Sequence, residues 1–206
     1  MPTSPGALVD ALTSVWTRIR ADLPELPGAK IALVTTPPPA DHGPERWSLT
    51  PDGTLQGLAV STDVLIAGPE DVVTALLHDA AHVLCWRRGI KDTATRGYYH
   101  NDAYLKAAQE CGLEWPDSRE RDRVKGYPDP RMTDETRRRH IPDMEELARV
   151  LPEVLPHLEV PRPTSKRTGR PAFQCGGCTP ARRIWAAQST ADLGPIVCGV
   201  CGKPFT

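Results

Sequence analysis

The sequence predicts an α+β body followed by a small C-terminal unit built around paired cysteines. Three observations carry that expectation. A long apolar helix is written into Gly68 to Gly89. Short apolar runs flank a Pro51-Asp52-Gly53 turn ahead of it. Two C-x-x-C pairs, Cys175/Cys178 and Cys198/Cys201, stand near the end of the 206-residue chain.

Taken in order, Pro5 to Leu23 reads as an amphipathic helix. Leu8, Leu12, Val15, Trp16, Ile19 and Leu23 recur at steps of three and four. Pro24 and the Pro27-Gly28 pair end it. Ala29 to Thr35 is a short, β-branched strand broken by Pro37-Pro38-Pro39. Trp47 to Thr50 and Thr54 to Val60, joined through Pro51-Asp52-Gly53, read as a hairpin. In the helix that follows, Pro69 occupies the first turn, where its missing N–H costs nothing. Glu70 and Asp71 sit at the positive end of the dipole and Arg87 and Arg88 at the negative end, with Gly89 placed to close it. Val72, Val73, Leu76, Leu77, Ala80, Ala81, Val83 and Leu84 surround most of its circumference, as in a buried helix. Asn101 to Cys111 is a shorter helix, capped by Asn101 and stopped by Gly112. Residues 117–140 are charged and poor in apolar side chains. Asp143 to Leu158 reads as one or two short helices interrupted by Pro152 and Pro156.

The expected organisation is a domain over 1–116, a charged, partly helical extension over 117–160, a basic proline-rich linker over 161–171 and a small unit over 172–206. The formal net charge of −1 combines −5 over 1–116 with +4 over 117–206, and within the latter residues 162–206 carry +6. A basic segment of that kind suits a polyanion, and it equally suits a solvated tail. No apolar run approaches the ~18 residues of a membrane span, and Met1 to Asp10 lacks a secretory pattern. The expected location is therefore cytoplasmic, with no membrane partner. There, paired cysteines read as metal ligands before disulfides.

His78 and His82 are four apart on the apolar helix, so both imidazoles share one face and can bind one ion. Two core histidines bonded to nearby carbonyls would satisfy the same spacing. In the H-E-x-x-H pattern of zinc peptidases the Glu is the general base; here Asp79 stands in its place, one methylene shorter. His100, behind the Ile90 to His100 loop, is the best third ligand, and Gly97 lets that loop bend back. Cys85 is the rival, though it reads better, with Cys111, as a core cysteine. His42, His140 and His157 lie in polar or proline-rich surroundings and are expected to be exposed.

The stretch from Trp47 to Trp115 resembles the SprT-like zinc metallopeptidase domain, the family that includes the Spartan proteases. A hairpin leads into a helix bearing H-x-x-x-H, and a second helix is opened by a third His in Tyr99-His100-Asn101-Asp102-Ala103-Tyr104. The resemblance implies a zincin-like fold, zinc on His78, His82 and His100, and Asp79 in the catalytic position. A carboxylate set ~1 Å off can cost about 100-fold, so an active enzyme, a slow one and a zinc-binding pseudoenzyme all remain open. Tyr99, Tyr98 and Arg96 beside the third His are candidates to stabilise an oxyanion, or simply pack the loop.

Cys175-Gly176-Gly177-Cys178 and Cys198-Gly199-Val200-Cys201 have the spacing of paired zinc knuckles, whose glycines allow the tight turns around sulfur. The unit has too few apolar residues to fold without metal. Such a zinc ribbon often follows the peptidase domain in the SprT-like family. The cofactor expectation is two zinc ions, one on three His and one on four Cys. The functional expectation is a zinc-dependent endopeptidase acting on protein or peptide, with the hairpin strand offering an edge to the substrate and DNA-associated proteins as targets. The alternative is a non-catalytic zinc-binding module that meets nucleic acid or protein through residues 162–206. There Arg182, Arg183 and Trp185 could meet phosphates and a base, and Gly169-Arg170-Pro171 is a short match to the core of a minor-groove reader within what reads better as a solvated linker.

Overall fold

The computed structural model describes residues 5–35, 47–94, 97–158 and 171–206. His42, Arg96 and the linker up to Arg170, with its Gly169-Arg170 dipeptide, lie outside the described residues. The fold is mixed α and β, and the chain divides into two compact units, Met1–Val160 and Pro161–Thr206.

The first unit opens with α1 (Pro5–Asp22), which buries Leu8, Leu12, Val15, Trp16 and Ile19. The indole N–H of Trp16 donates to the Pro27 carbonyl at 3.0 Å, so the ring is buried without stranding its polar atom. Strand β1 (Ala29–Val34) pairs in parallel with β3 (Leu55–Ser61), and β2 (Ser48–Leu49) pairs antiparallel on the other side of β3. The expected hairpin is present. Its β2 arm meets only Leu55 and Gln56.

A short helix α2 (Thr62–Ala67), not expected from the sequence, follows at once, with the Ser61 hydroxyl accepting from the Val64 N–H. Helix α3 (Pro69–Arg87) starts on its proline, and Gly89 beyond it takes a left-handed φ of 66°, as its place past the helix end requires. Eleven of its side chains are buried, from Val72 to Cys85, so it is the central helix. Two-residue strands β4 (Thr93–Ala94) and β5 (Tyr99–His100) form a small antiparallel ladder in the next loop. Helix α4 (Asp102–Glu110) is capped as expected: the Asn101 side chain accepts from the Ala103 and Tyr104 N–H groups.

Residues 113–158 belong to the same unit. Strand β6 (Leu113–Glu114) pairs with β7 (Arg131–Met132), α5 (Asp134–Arg139) follows, and α6 (Ile141–Val154) ends in a 3-10 turn, Leu155–His157. Leu113, Met132, Leu147, Val150, Leu151 and Val154 join the core built by α1 and α3. The expected boundary at 116 is therefore not a boundary between compact units. Helix α6 also runs through Pro152 instead of breaking there. The flanking Leu151 and Val154 are buried, and their burial offsets the roughly 3 kcal/mol that an interior proline costs.

His140 corrects a second expectation. It is 2% exposed, and its Nδ1 meets Asp143 Oδ2 at 2.7 Å, while Arg18 Nε reaches the same oxygen at 2.7 Å. His157 is exposed, as expected. Burial pushes the Asp143 carboxyl up, but the bonds from His140 and Arg18 outweigh it and hold it below its usual 3.8. A depressed carboxyl stabilises the fold above its unfolded value and loses that contribution as pH falls through the lower folded one. Asp143→Ala should cost about 2 kcal/mol near neutral pH. The measurement is the denaturant midpoint, and the gap between variant and wild type should shrink below pH ~4.

In the second unit β8 (Ala172–Gln174) pairs with β9 (Arg183–Trp185), and α7 (Gln188–Asp192) follows. Only Cys175 and Cys198 are buried among its described residues.

Candidate metal centres

Helix α3 and the β4–β5 ladder bring three histidines together. His78 and His82 lie one turn apart on α3, and the ladder returns the chain so that His100 faces them. Gly97, with φ 84°, makes the bend that the sequence allowed for. His82 Nε2 is 3.1 Å from His78 Nε2 and 3.2 Å from His100 Nε2. Ligand atoms on a tetrahedral ion at about 2.0–2.1 Å stand roughly 3.3 Å apart, so the convergence fits one small cation.

The outer nitrogens support that fit. His82 Nδ1 meets Asp92 Oδ2 at 2.6 Å, and His78 Nδ1 meets the Tyr104 hydroxyl at 2.6 Å. With Nδ1–H directed at a carboxylate, the His82 lone pair is left on Nε2, inside the cluster. Three nitrogens aimed at one another at such distances are favourable when a cation sits between them. Burial pulls the His100 imidazole down to about 4, so it is neutral at physiological pH.

Asp92 and Tyr104 were not singled out as site residues from the sequence. Tyr104 packs against all three imidazoles, with ring centroids 5.1, 4.7 and 4.5 Å from those of His78, His82 and His100. Its phenol is fully buried, and burial followed by the Asp79 charge raises it well above its usual range, so it remains a neutral hydrogen-bonding group. Its spacing four residues after His100 was the available signal. Asp92, ten residues past His82, had none. Tyr99 precedes His100 on β5, where successive side chains point to opposite faces; the phenol at the cluster is Tyr104. Tyr98 is 55% exposed.

Asp79 is buried on α3 next to His78, with its charge felt at Tyr104. Cys85 and Cys111 are buried as expected, and burial pushes both thiols up to about 12. Cys85 Sγ donates to the Ala103 carbonyl at 3.8 Å and stands outside the histidine group.

The four cysteines of the second unit form the other group. Cys175 Sγ is 3.3 Å from Cys201 Sγ, and Cys178 Sγ is 3.8 Å from Cys198 Sγ. Tetrahedral thiolates at about 2.3 Å from an ion stand roughly 3.8 Å apart. Backbone N–H groups of Val200 and Cys201 point at Cys198 and pull its thiol down to about 6; the Gly177 N–H, donating to Cys175 Sγ, lowers that thiol. Gly177 is needed for space, because a Cβ there would come 2.9 Å from Cys201 Sγ. Gly176 and Gly199 face open space and carry no such constraint.

The chain therefore holds a three-His group and a four-Cys group placed to bind metal ions, and all ligand atoms within each lie within 4.8 Å. No helix among the described residues is long and apolar enough to cross a membrane. No protein-family model, curated protein or solved structure matches the chain.

The outer bonds give a direct prediction. Asp92→Ala and Tyr104→Phe should each weaken metal at the histidine group by about 10- to 100-fold. Competition with a chromophoric chelator reads this, and the cysteine group should be unaffected.

Proposed function

We propose that this chain is a zinc-dependent endopeptidase of the SprT-like kind. The observation that carries the reading is the donor set: three histidine Nε2 atoms converge, and no fourth protein ligand joins them among the described residues. Three protein ligands leave a position for water or substrate, the arrangement of catalytic zinc, whereas four cysteines close a structural one. His78 and His100 are only partly buried, which leaves the group reachable from solvent.

Zinc, when bound, supplies an acidified water and a Lewis acid toward a carbonyl. The chain supplies the rest. His78, His82 and His100 would hold the ion. Asp92 and Tyr104 fix two of the three rings from behind. Asp79, beside His78 on the same helix, is the group that would take up a proton and return it to the leaving amine. Residues 57–61 of β3 extend past the short β2, and that edge is where an extended peptide would add as a strand. The setting of the reading is cytoplasmic, with DNA-associated proteins as the targets.

The test is cleavage of an unstructured protein by zinc-loaded enzyme, with and without single-stranded DNA. Activity lost in Asp79→Ala with zinc retained supports the reading. An inactive wild type, with activity gained in Asp79→Glu, contradicts it and favours a non-catalytic module.

One observation favours that second reading. Arg183 and Trp185 lie two apart on β9, hence on one face, and Trp185 is 66% exposed. An exposed indole beside a guanidinium is a surface for a base and its phosphate. Under this reading, single-stranded DNA binding is salt-sensitive, survives His78→Ala and is lost in the Arg183→Glu, Trp185→Ala double variant.

A further inference from the structure

We propose that the turn Asp122 to Gly126 is a strap that holds His100 in place as the third metal ligand, and that Gly126 is the residue that makes this possible. The proposal rests on the histidine group being a metal site. It assigns a role to the charged stretch after α4, for which the sequence offered none.

The three imidazoles are not held alike. Asp92 grips His82 by its Nδ1, and Tyr104 grips His78 by its Nδ1. His100 Nδ1 is buried and has no hydrogen-bond partner among the described residues. No described group steers this ring through its outer nitrogen, so apart from its packing on Tyr104 its position depends on its backbone.

That backbone is bound on both sides. On one side, Thr93 is its partner in the β4–β5 ladder. On the other, the His100 N–H donates to the Lys125 carbonyl at 2.9 Å, and the Tyr127 N–H donates to the His100 carbonyl at 3.1 Å. Gly126 thus lies beside His100 in a single parallel bridge. The Tyr127 hydroxyl then donates to Asp102 Oδ1 at 3.1 Å, at the start of α4.

The turn feeding this contact is built for it. Asp122 and Gly126 exchange both backbone bonds, at 3.0 and 2.9 Å. Asp122 Oδ1 accepts from the Val124 and Lys125 N–H groups, each at 2.7 Å. Gly126 has φ 73°, and a Cβ added there would clash with the His100 carbonyl oxygen and come 2.8 Å from the carbonyl carbon. Those are backbone atoms that cannot swing away, so any side chain at 126 must part the strap from His100.

The experiment uses the full chain loaded with cobalt(II), whose absorption distinguishes histidine from thiolate coordination. Gly126→Ala should weaken cobalt at the histidine group by about tenfold or more. The thiolate bands should not change; the metal-free body should still fold, at a somewhat lower midpoint because alanine is strained at that φ, so that the lost affinity is not a loss of the fold. Asp122→Ala, at an exposed position, should weaken the same site by a smaller factor, and it decides the matter if Gly126→Ala fails to fold. Wild-type affinity in Gly126→Ala, or in Asp122→Ala where the first is unfolded, overturns the strap. His100→Ala separates the two claims. If it binds metal as the wild type does, the metal reading and the strap both fall; if it loses one ion while the strap variants keep theirs, only the strap falls.

Discussion

Cys198→Ser is expected to unfold residues 171–206 while leaving the first unit intact. The argument is one of missing alternatives. In the second unit the only buried side chains among the described residues are Cys175 and Cys198. Phe173, Ile184, Ile196 and Phe205 are partly covered, and Trp185, Leu193, Val197 and Val200 stand in solvent. Two three-residue strands and a five-residue helix cannot hold themselves together in water. Metal binding supplies about 10–16 kcal/mol to units of this kind, far more than so little apolar burial provides. Amide resonances of 171–206 should collapse to unfolded positions in the variant and in chelator-treated wild type. The apolar core lies within residues 8–154, so thermal unfolding of the first unit should be unchanged. Retained, dispersed resonances for 171–206 in Cys198→Ser would show that the unit has another source of stability.

The second large effect is expected from His82→Ala. His82 Nε2 is the atom within 3.2 Å of both other ligand nitrogens, and its Nδ1 is the partner of Asp92. The substitution removes a ligand from the middle of the group and leaves a half-buried carboxylate without its bond. Metal at this group should fall below detection, and any peptidase activity should fall with it by about 1,000-fold or more. Asp79→Ala separates chemistry from binding, because Asp79 is not one of the grouped ligands. It should keep the ion and lose the activity. Equal activity in wild type and His82→Ala would exclude this site as the source of cleavage.

What the sequence made legible was local. Pro69, the dipole-matched charges and Gly89 bracket α3, and its apolar periodicity is dense enough to locate the central helix. His78 and His82 are adjacent by helix geometry alone, and each C-x-x-C pair is its own loop. Asn101 marks its cap by residue type. The misses are long-range. The parallel pairing of β1 with β3 joins residues about 27 apart with no local signature. Residues 117–160 read as a charged, partly helical extension because charged side chains crowd their first half. A few apolar positions, Leu147, Val150, Leu151 and Val154, are enough to seat α6 on the core, and prolines obscured their period. His140 looked exposed because the acid and the guanidinium that make its burial tolerable come from α6 and α1. Asp92 and the strap at 122–127 act on the site through bonds that only the folded chain creates.

Metal content per chain is the most direct measurement of the central claim. Purified protein should carry two ions, one on each group, and zinc should be the metal found. His100→Ala should carry one, and so should Cys198→Ser. A single ion in the wild type, unchanged in His100→Ala, would contradict the histidine centre and the function built on it.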